Sequence, residues 1–322
     1  MDIEKGLVSI IIVGWNHWPF LKKTIGALHK QSYKRIEIIF VDNASLDNSV
    51  NNVRINFPDV KIIANDKNYG FCKGNNLGIS MACGEFVLIL NPDVILDKRC
   101  IEELMKASNI YDKTGICAPK IFLLDKEKII NSVGMRFNQF GRTYHIGDGE
   151  ADIGQYQETT PIPMASGACM FCRREMFDNI GFFDEDYFAY YEDGELSLRA
   201  WWWGWKCIYV PTAIAYHMRN AAAKTYHSYH EIARFYENRN HYLILLTFMP
   251  IRWLIKSFPV LIVSESSILL QGLFRLVYLR KVPVEFKSRF ATIKLLPKLI
   301  KKRQKLNDRC RITRSIINAL IN

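Results

Sequence analysis

The residue types best able to do chemistry gather at three places in this chain. Phe86-Val87-Leu88-Ile89-Leu90 is an apolar run that breaks into Asn91-Pro92-Asp93. A carboxylate at the C-terminal end of a buried parallel strand sits where open α/β sheets collect their ligands. Pro92 cannot continue a strand ladder and keeps Asn91 extended, so the turn is stiff and Asp93 is aimed as a ligand for a hard cation. His217, which follows the apolar segment 213–216, would add a nitrogen. Asp93 with His217 makes a mixed donor set that suits Mn²⁺ and tolerates Mg²⁺, although a purely structural histidine fits the sequence as well. The third place is Glu192-Asp193, behind Phe188, Tyr190 and Tyr191. Adjacent carboxylates in an aromatic setting are a source of a general base. They would equally complement the N-terminus of a helix starting near Asp193, which is worth under about 1 kcal/mol. On that helix Glu195 and Arg199 are four apart and would pair at its surface, with Leu196 and Trp203 toward the core.

Two further segments suit a nucleotide. Asp42 closes another apolar run and either accepts hydrogen bonds from a ribose or base, or forms a local Asx turn. Asn68-Tyr69-Gly70-Phe71-Cys72-Lys73-Gly74-Asn75-Asn76 sets two glycines and several amides at the opening of a helix, where backbone can approach a phosphate or base closely. The G-K-S/T ending of a Walker A loop is missing, and so is G-x-G-x-x-G. A single nucleotide is therefore favoured over NAD.

The elements that must position these residues alternate. Strands are expected at 7–13, 35–41, 60–64 and 86–90. Helices are expected at 20–28 behind Pro19, from a Ser45 cap through 53–55, at 74–82 and at 98–110. This order predicts an α/β fold, a parallel doubly wound sheet with its site at the strand C-termini. The chain has 322 residues, 49% of them hydrophobic, enough for one large domain with an appendage or for two domains.

Charge divides the chain near residue 220. Residues 221–322 hold 19 Lys and Arg against five Asp and Glu, a net +14, which leaves −3 for residues 1–220. We expect a catalytic domain over 1–220 and a basic helical region over 221–322. The apolar runs at 243–249, 251–255, 260–263 and 268–279 are broken by Arg252, Lys256, Pro259, Glu265 and Arg275, and none reaches the roughly 20 uninterrupted residues of a spanning helix. Interleaved Lys and Arg, followed by the basic stretch 298–305, suit helices lying on an anionic membrane surface; the plainer reading is a helical cap with a solvated basic end. Eight dispersed cysteines read as reduced thiols, and Cys169-Met-Phe-Cys172 has no second pair at zinc spacing. The apolar stretch 7–13 is too short for a signal-peptide core, so a cytoplasmic location is expected, peripheral on the inner face of the cytoplasmic membrane.

Taken together, the motifs resemble the family 2 glycosyltransferases of the GT-A fold, most closely their rhamnosyltransferase-like branch. The resemblance runs from Val8-Ser9-Ile10-Ile11-Ile12-Val13 through Val41-Asp42-Asn43-Ala44-Ser45, Asn68-Tyr69-Gly70-Phe71 and Leu90-Asn91-Pro92-Asp93. It continues in Ser166-Gly167-Ala168-Cys169, Gly181-Phe182-Phe183-Asp184-Glu185, the 192–199 segment and His217, about two-thirds of the chain.

That likeness implies a Rossmann-like, mostly parallel sheet flanked by helices. It implies that the first strand, through Val13, and Asp42 hold the nucleobase and ribose. Asn68, Gly70, Lys73, Gly74 and Asn75 would belong to a loop closing over the nucleotide. Asn91-Pro92-Asp93 fills the D-x-D position, Asn91 offering only a neutral carbonyl and Asp93 meeting the divalent cation, with His217 as a further metal ligand. Gly167 and Ala168 fall at the acceptor pocket floor, and Asp193 at the catalytic base, with Glu192 as its supporter or substitute. The implied activity is inverting transfer of a sugar, rhamnose being one candidate, from a dTDP or UDP type donor. The acceptor would be a hydroxyl of a glycan or lipid-linked glycan, in cell-surface polysaccharide or glycoconjugate assembly. Two rivals remain on the sequence: a non-catalytic sugar-nucleotide-binding protein, and a basic nucleic-acid binder, against which the aliphatic character of the tail argues.

Overall fold

Near-continuous apolar strands make the centre of this molecule a sheet covered on both faces. The computed structural model describes residues 3–138, 142–218, 227–279 and 283–309. β1 (Glu4–Gly14), β2 (Ile36–Asp42), β3 (Lys61–Ala64) and β4 (Gly84–Leu90) run parallel in the spatial order β4-β1-β2-β3. Alternate residues feed opposite cores. Ile11, Ile39, Val41, Val87 and Ile89 point into one, and Ile10, Ile12, Ile38, Leu88 and Leu90 into the other. The sheet is extended beyond β4 by β11 (Cys169–Arg173), which is antiparallel, and then by the parallel pair β6 (Thr114–Leu123) and β12 (Lys206–His217). Short strands β5 (Val94–Leu96), β7 (Ile130–Ser132) and β10 (Thr160–Pro161) join its margins, and β8 (Met135–Phe137) pairs with β9 (Thr143–His145) separately.

The helices between the strands are α1 (Trp18–Leu28), α2 (Ser49–Asn56), α3 (Gly70–Met81) and α4 (Cys100–Ala107), followed by α5 (Arg174–Ile180) and α6 (Glu192–Trp202). Several expectations need correcting. Ser45 does not cap α2, which starts at Ser49 behind the left-handed Asn48; Ser45 Oγ instead accepts the Asn16 N–H at 2.8 Å. α3 begins four residues earlier than the glycine spacing suggested, so Gly70, Lys73, Gly74 and Asn75 lie in its first turns and not in a loop. Its glycines serve close packing. A Cβ on Gly78 would lie 2.4 Å from Ile11 Cγ2, and one on Gly74 would lie 2.7 Å from Val13 Cγ1. The Glu195–Arg199 pair forms at 2.8 Å but is buried rather than on the surface, because Arg199 also donates to the carbonyls of Ile180, Gly181 and Phe182.

Three long helices follow: α7 (His227–Phe248), α8 (Ile251–Leu279) and α9 (Val284–Arg309). α9 packs along α7, and among the described residues no helix is long and apolar enough to cross a membrane. The domain boundary expected at 220–221 lies outside the described residues. The seven described cysteines form no disulfide, and Cys169 and Cys172 are buried in β11.

Candidate active site

Because β1, β2 and β4 are parallel, their C-terminal ends open on one edge, and a cleft of about 1650 Å³ lies there. Strand register brings the first pair of candidate residues together. His217 is the last residue of β12 and stands opposite Val94 of β5, next to Asp93. The Met218 N–H donates to the Asp93 carbonyl at 3.0 Å, and Thr24 Oγ1 donates to the Pro92 carbonyl at 2.7 Å, fixing the turn from two sides. His217 Nε2 ends 3.4 Å from Asp93 Oδ1. Its other ring nitrogen, Nδ1, lies 2.8 Å from Asn131 Oδ1 and donates to it, which leaves the Nε2 lone pair facing Asp93. Asn131 is 4% exposed and had no signal in the sequence, since only the fold carries it 86 positions to His217.

These donors fit a divalent cation. A carboxylate oxygen and an imidazole nitrogen each bind such ions at about 2.0–2.2 Å, so adjacent ligands stand about 3 Å apart. Among the described residues no group of three or more His, Cys, Asp and Glu could hold a metal, so those residues offer this pair and no fuller set.

The second pair stands at the start of α6. Tyr191 is its N-cap in the left-handed region (φ 67°), and the preceding turn holds Phe188 and Tyr190 there as well. Such backbone is sparsely populated by non-glycine residues and persists where surroundings over-determine it. Here the surroundings are identifiable. Asn240 of α7, fully buried, donates through Nδ2 to the carbonyls of Tyr187, Ala189 and Tyr190 at 2.8, 2.8 and 2.7 Å. Arg239 adds donors to Asp186 and Tyr187, and Phe188 stacks on Tyr236. The loop thereby places Asp193 against Gly167, whose N–H donates to Asp193 Oδ2 at 2.8 Å, while the Gly194 N–H donates to Oδ1 at 2.7 Å. Burial pushes both carboxyls up, but these two N–H groups oppose the rise at Asp193. Glu192 is driven well above the usual carboxylate range, by burial first and then by the charge on Asp193, and its Oε2 has no hydrogen-bond partner. Of the two, Glu192 is the more strongly pushed toward its protonated form, and Asp193 is raised less because the two N–H groups favour its charged form.

The cleft collects Val13, Asn68, Gly70, Asn91, Asp93, Gly167, Ala168, Glu192, Asp193 and His217 from the positions singled out in the sequence. Ala168 is beside Asn91 because β11 pairs with β4, the Ala168 carbonyl accepting the Asn91 N–H at 2.9 Å. Four positions fall outside its lining. Lys73 Nζ sits over the Tyr69 ring, 4.3 Å from its centroid; Gly74 packs on Val13; and Asn75 Nδ2 donates to the Phe71 carbonyl. Asp42 is buried and accepts the Ser45 N–H through Oδ2, while its Oδ1 has no partner. The sequence reading passed over Asn43, which lines the cleft, donates to the Gly70 carbonyl and accepts from Asn65. It also passed over Arg142, and over Arg234 and Glu237, by which α7 joins the wall.

Comparison with known proteins identifies the family and the fold. The family model described as "Glycosyl transferase family 2" matches residues 9–181. The chain is 25% identical over 238 residues to the N-acetylglucosaminyl-diphospho-decaprenol L-rhamnosyltransferase of Mycobacterium tuberculosis, covering 66% of this chain and 76% of that protein. Its fold is similar to that of a mannosyltransferase from Pyrobaculum calidifontis in complex with GDP-Man and Mn²⁺, with a TM-score of 0.55 and 14% identity over 93% of this chain and 84% of that one. GalNAc-T7 with UDP, GalNAc and Mn²⁺ gives a TM-score of 0.56 and 19% identity, over 66% of this chain and 43% of that one. Matched over more than half its length by the family model, the chain belongs to glycosyltransferase family 2 and is rhamnosyltransferase-like, on a GT-A fold.

Proposed function

We propose that this glycosyltransferase is metal-dependent and inverting, and that it moves a sugar from a dTDP or UDP type donor to a hydroxyl of a glycan or lipid-linked acceptor. The observation that carries the reading is that one cleft is lined by Asp93 and His217 and also by Glu192 and Asp193. Rhamnose and a lipid-linked acceptor come from the name of the mycobacterial relative. Such a transfer serves cell-surface polysaccharide or glycoconjugate assembly.

Val13, Asn68, Gly70 and Asn91 border the space for the nucleotide, and Asp42 Oδ1 is a buried acceptor that a donor N–H or O–H would satisfy. Asp93 and His217 would hold Mn²⁺ or Mg²⁺, which supplies Lewis acidity to the departing diphosphate. Arg142 and Arg234 bring further positive charge to the cleft. Gly167 and Ala168 form the acceptor floor. Asp193, whose carboxylate form is favoured by two backbone N–H groups against the upward push of burial, accepts the proton of the acceptor hydroxyl as that oxygen attacks the anomeric carbon. Displacement from the face opposite the leaving group inverts the anomeric configuration.

The test is a thermal-shift screen of sugar nucleotides with and without Mn²⁺, followed by nucleoside diphosphate release with the donor that binds. Asp193→Asn should keep the donor-induced shift and lose transfer. Turnover retained in that variant removes Asp193 from the role of base, and no donor shift in the parent chain defeats the reading.

A further inference from the structure

Among the described residues, the C-terminal helices leave rows of large apolar side chains exposed. On α8, Ile251, Ile255, Phe258 and Ile262 recur at intervals of three and four on one side of the helix, and Phe258 is 61% exposed. On α9, Ile293 and Ile300 are seven apart and exposed, as is Phe290 three residues before Ile293, at 60%. The adjoining row of α9 is Lys287, Lys294 and Lys301, again at intervals of seven and all exposed. Lys294 Nζ lies 4.6 Å from the Phe290 ring centroid, so the cationic row and the apolar row touch. Exposed aromatics and isoleucines beside a lysine row are the composition of a helix lying in a lipid headgroup layer.

Residues flanking and behind that face of α9 are tied to the protein. Lys302 pairs with Asp184 and Asp186, Lys298 with Asp186 at 2.6 Å, and Arg303 donates to the Leu246 carbonyl. Arg289 of α9 pairs with Glu265 of α8 at 2.9 Å. Those ties hold the uncovered face in a set orientation on the segment that leads to Glu192 and Asp193.

We infer that the exposed faces of α8 and α9 dock on an anionic bilayer surface, with Phe290 and Ile293 entering the headgroup layer and Lys287, Lys294 and Lys301 meeting lipid phosphates. No described helix can span the bilayer, so the attachment is peripheral and reversible. The inference is independent of the sugar and the nucleotide, because its test contains neither.

The test floats the full-length protein with phosphatidylcholine vesicles and with vesicles that also contain phosphatidylglycerol, at low and high salt. Binding is expected only with phosphatidylglycerol and is reversed by salt. Each lysine removed should weaken binding about fivefold, so Lys294→Glu with Lys301→Glu loses about thirtyfold or more. Phe290→Ser with Ile293→Ser should also release the protein. A parental far-UV circular dichroism spectrum and a cooperative thermal transition show that each variant is folded. Equal binding to both vesicle types, or variants that float like the parent, overturns the inference. A parent dimer that Phe290→Ser with Ile293→Ser converts to monomer, without change in flotation, assigns the face to self-association and also overturns it.

Discussion

Asn240 is the residue whose replacement most sharply tests how the acidic pair is positioned. It belongs to α7, far along the chain from Glu192, and its side-chain amide donates to three consecutive-region carbonyls, those of Tyr187, Ala189 and Tyr190. Its own Oδ1 accepts from Arg239 Nε at 2.9 Å, which fixes the amide orientation. Asn240→Leu keeps the approximate volume and removes both donors. The Tyr187 carbonyl keeps the Ala189 N–H at 2.7 Å, so the loss falls mainly on Ala189 and Tyr190. These two bonds are part-buried at the cleft, and a lost hydrogen bond of that kind costs about 0.5–1.5 kcal/mol, which puts the expected destabilisation at about 1–3 kcal/mol.

The released loop also holds Phe188, Tyr190 and Tyr191 in left-handed backbone, each costing about 1–2 kcal/mol without support. The loop should therefore relax, and Asp193 with it. A displacement of about 1 Å at a catalytic group is enough for a hundredfold loss of rate. Urea denaturation measures the first effect and kcat for sugar transfer the second, at a temperature where the variant is folded. A variant with parental kcat and a stability loss below about 1 kcal/mol would refute the claim that Asn240 holds this loop.

Three further outcomes follow from the same geometry. Glu192 has a folded-state pKa raised by burial and by Asp193, so its contribution to stability is present below the ordinary carboxyl pKa and is lost as pH rises through the raised value. Glu192→Gln should raise Tm, with a gain that grows from acidic to alkaline pH; a gain that is constant with pH refutes it. Asn131→Ala frees the His217 ring, and removal of such a partner typically costs 10–100-fold in metal affinity; calorimetric titration of Mn²⁺ in the presence of donor checks it. Gly70→Ala would set a Cβ 2.6 Å from Phe188 Cδ2 at a φ of +79°, costing about 1–3 kcal/mol for the overlap in urea denaturation and raising the donor KM.

The alternation of strands and helices over the first hundred residues was legible because each strand is apolar on both faces and each ends in a polar turn. Ile10-Ile11-Ile12 supplies two cores at once, a pattern that only a doubly covered sheet uses. Helix starts were less legible. Gly70 opens α3 because its positive φ and missing Cβ let Phe188 pack on it, a contact 118 positions away. The Glu195–Arg199 spacing gave the pair but not its burial, which depends on three carbonyls near Gly181. Asp93 and His217 stood out by type, whereas Asn131 and Asn240 are ordinary amides whose meaning comes only from the partners the fold gives them.

The sparseness of the metal-suited pair bears on how such a site would work. In the proposed site Asp93 would contribute one carboxylate oxygen and His217 one ring nitrogen, and Asn91 cannot replace a second carboxylate. Magnesium takes six ligands and manganese accepts similar oxygen-rich sets, so in such a site water and the donor's phosphates would supply the rest. A cation held mainly by the substrate it helps to bind makes the two affinities reciprocal: whatever factor the donor adds to the cation, the cation adds to the donor. On the proposed reading the cation would arrive largely with the donor, and Asp193, tied to Gly167 and Gly194, would be the carboxylate that meets the acceptor.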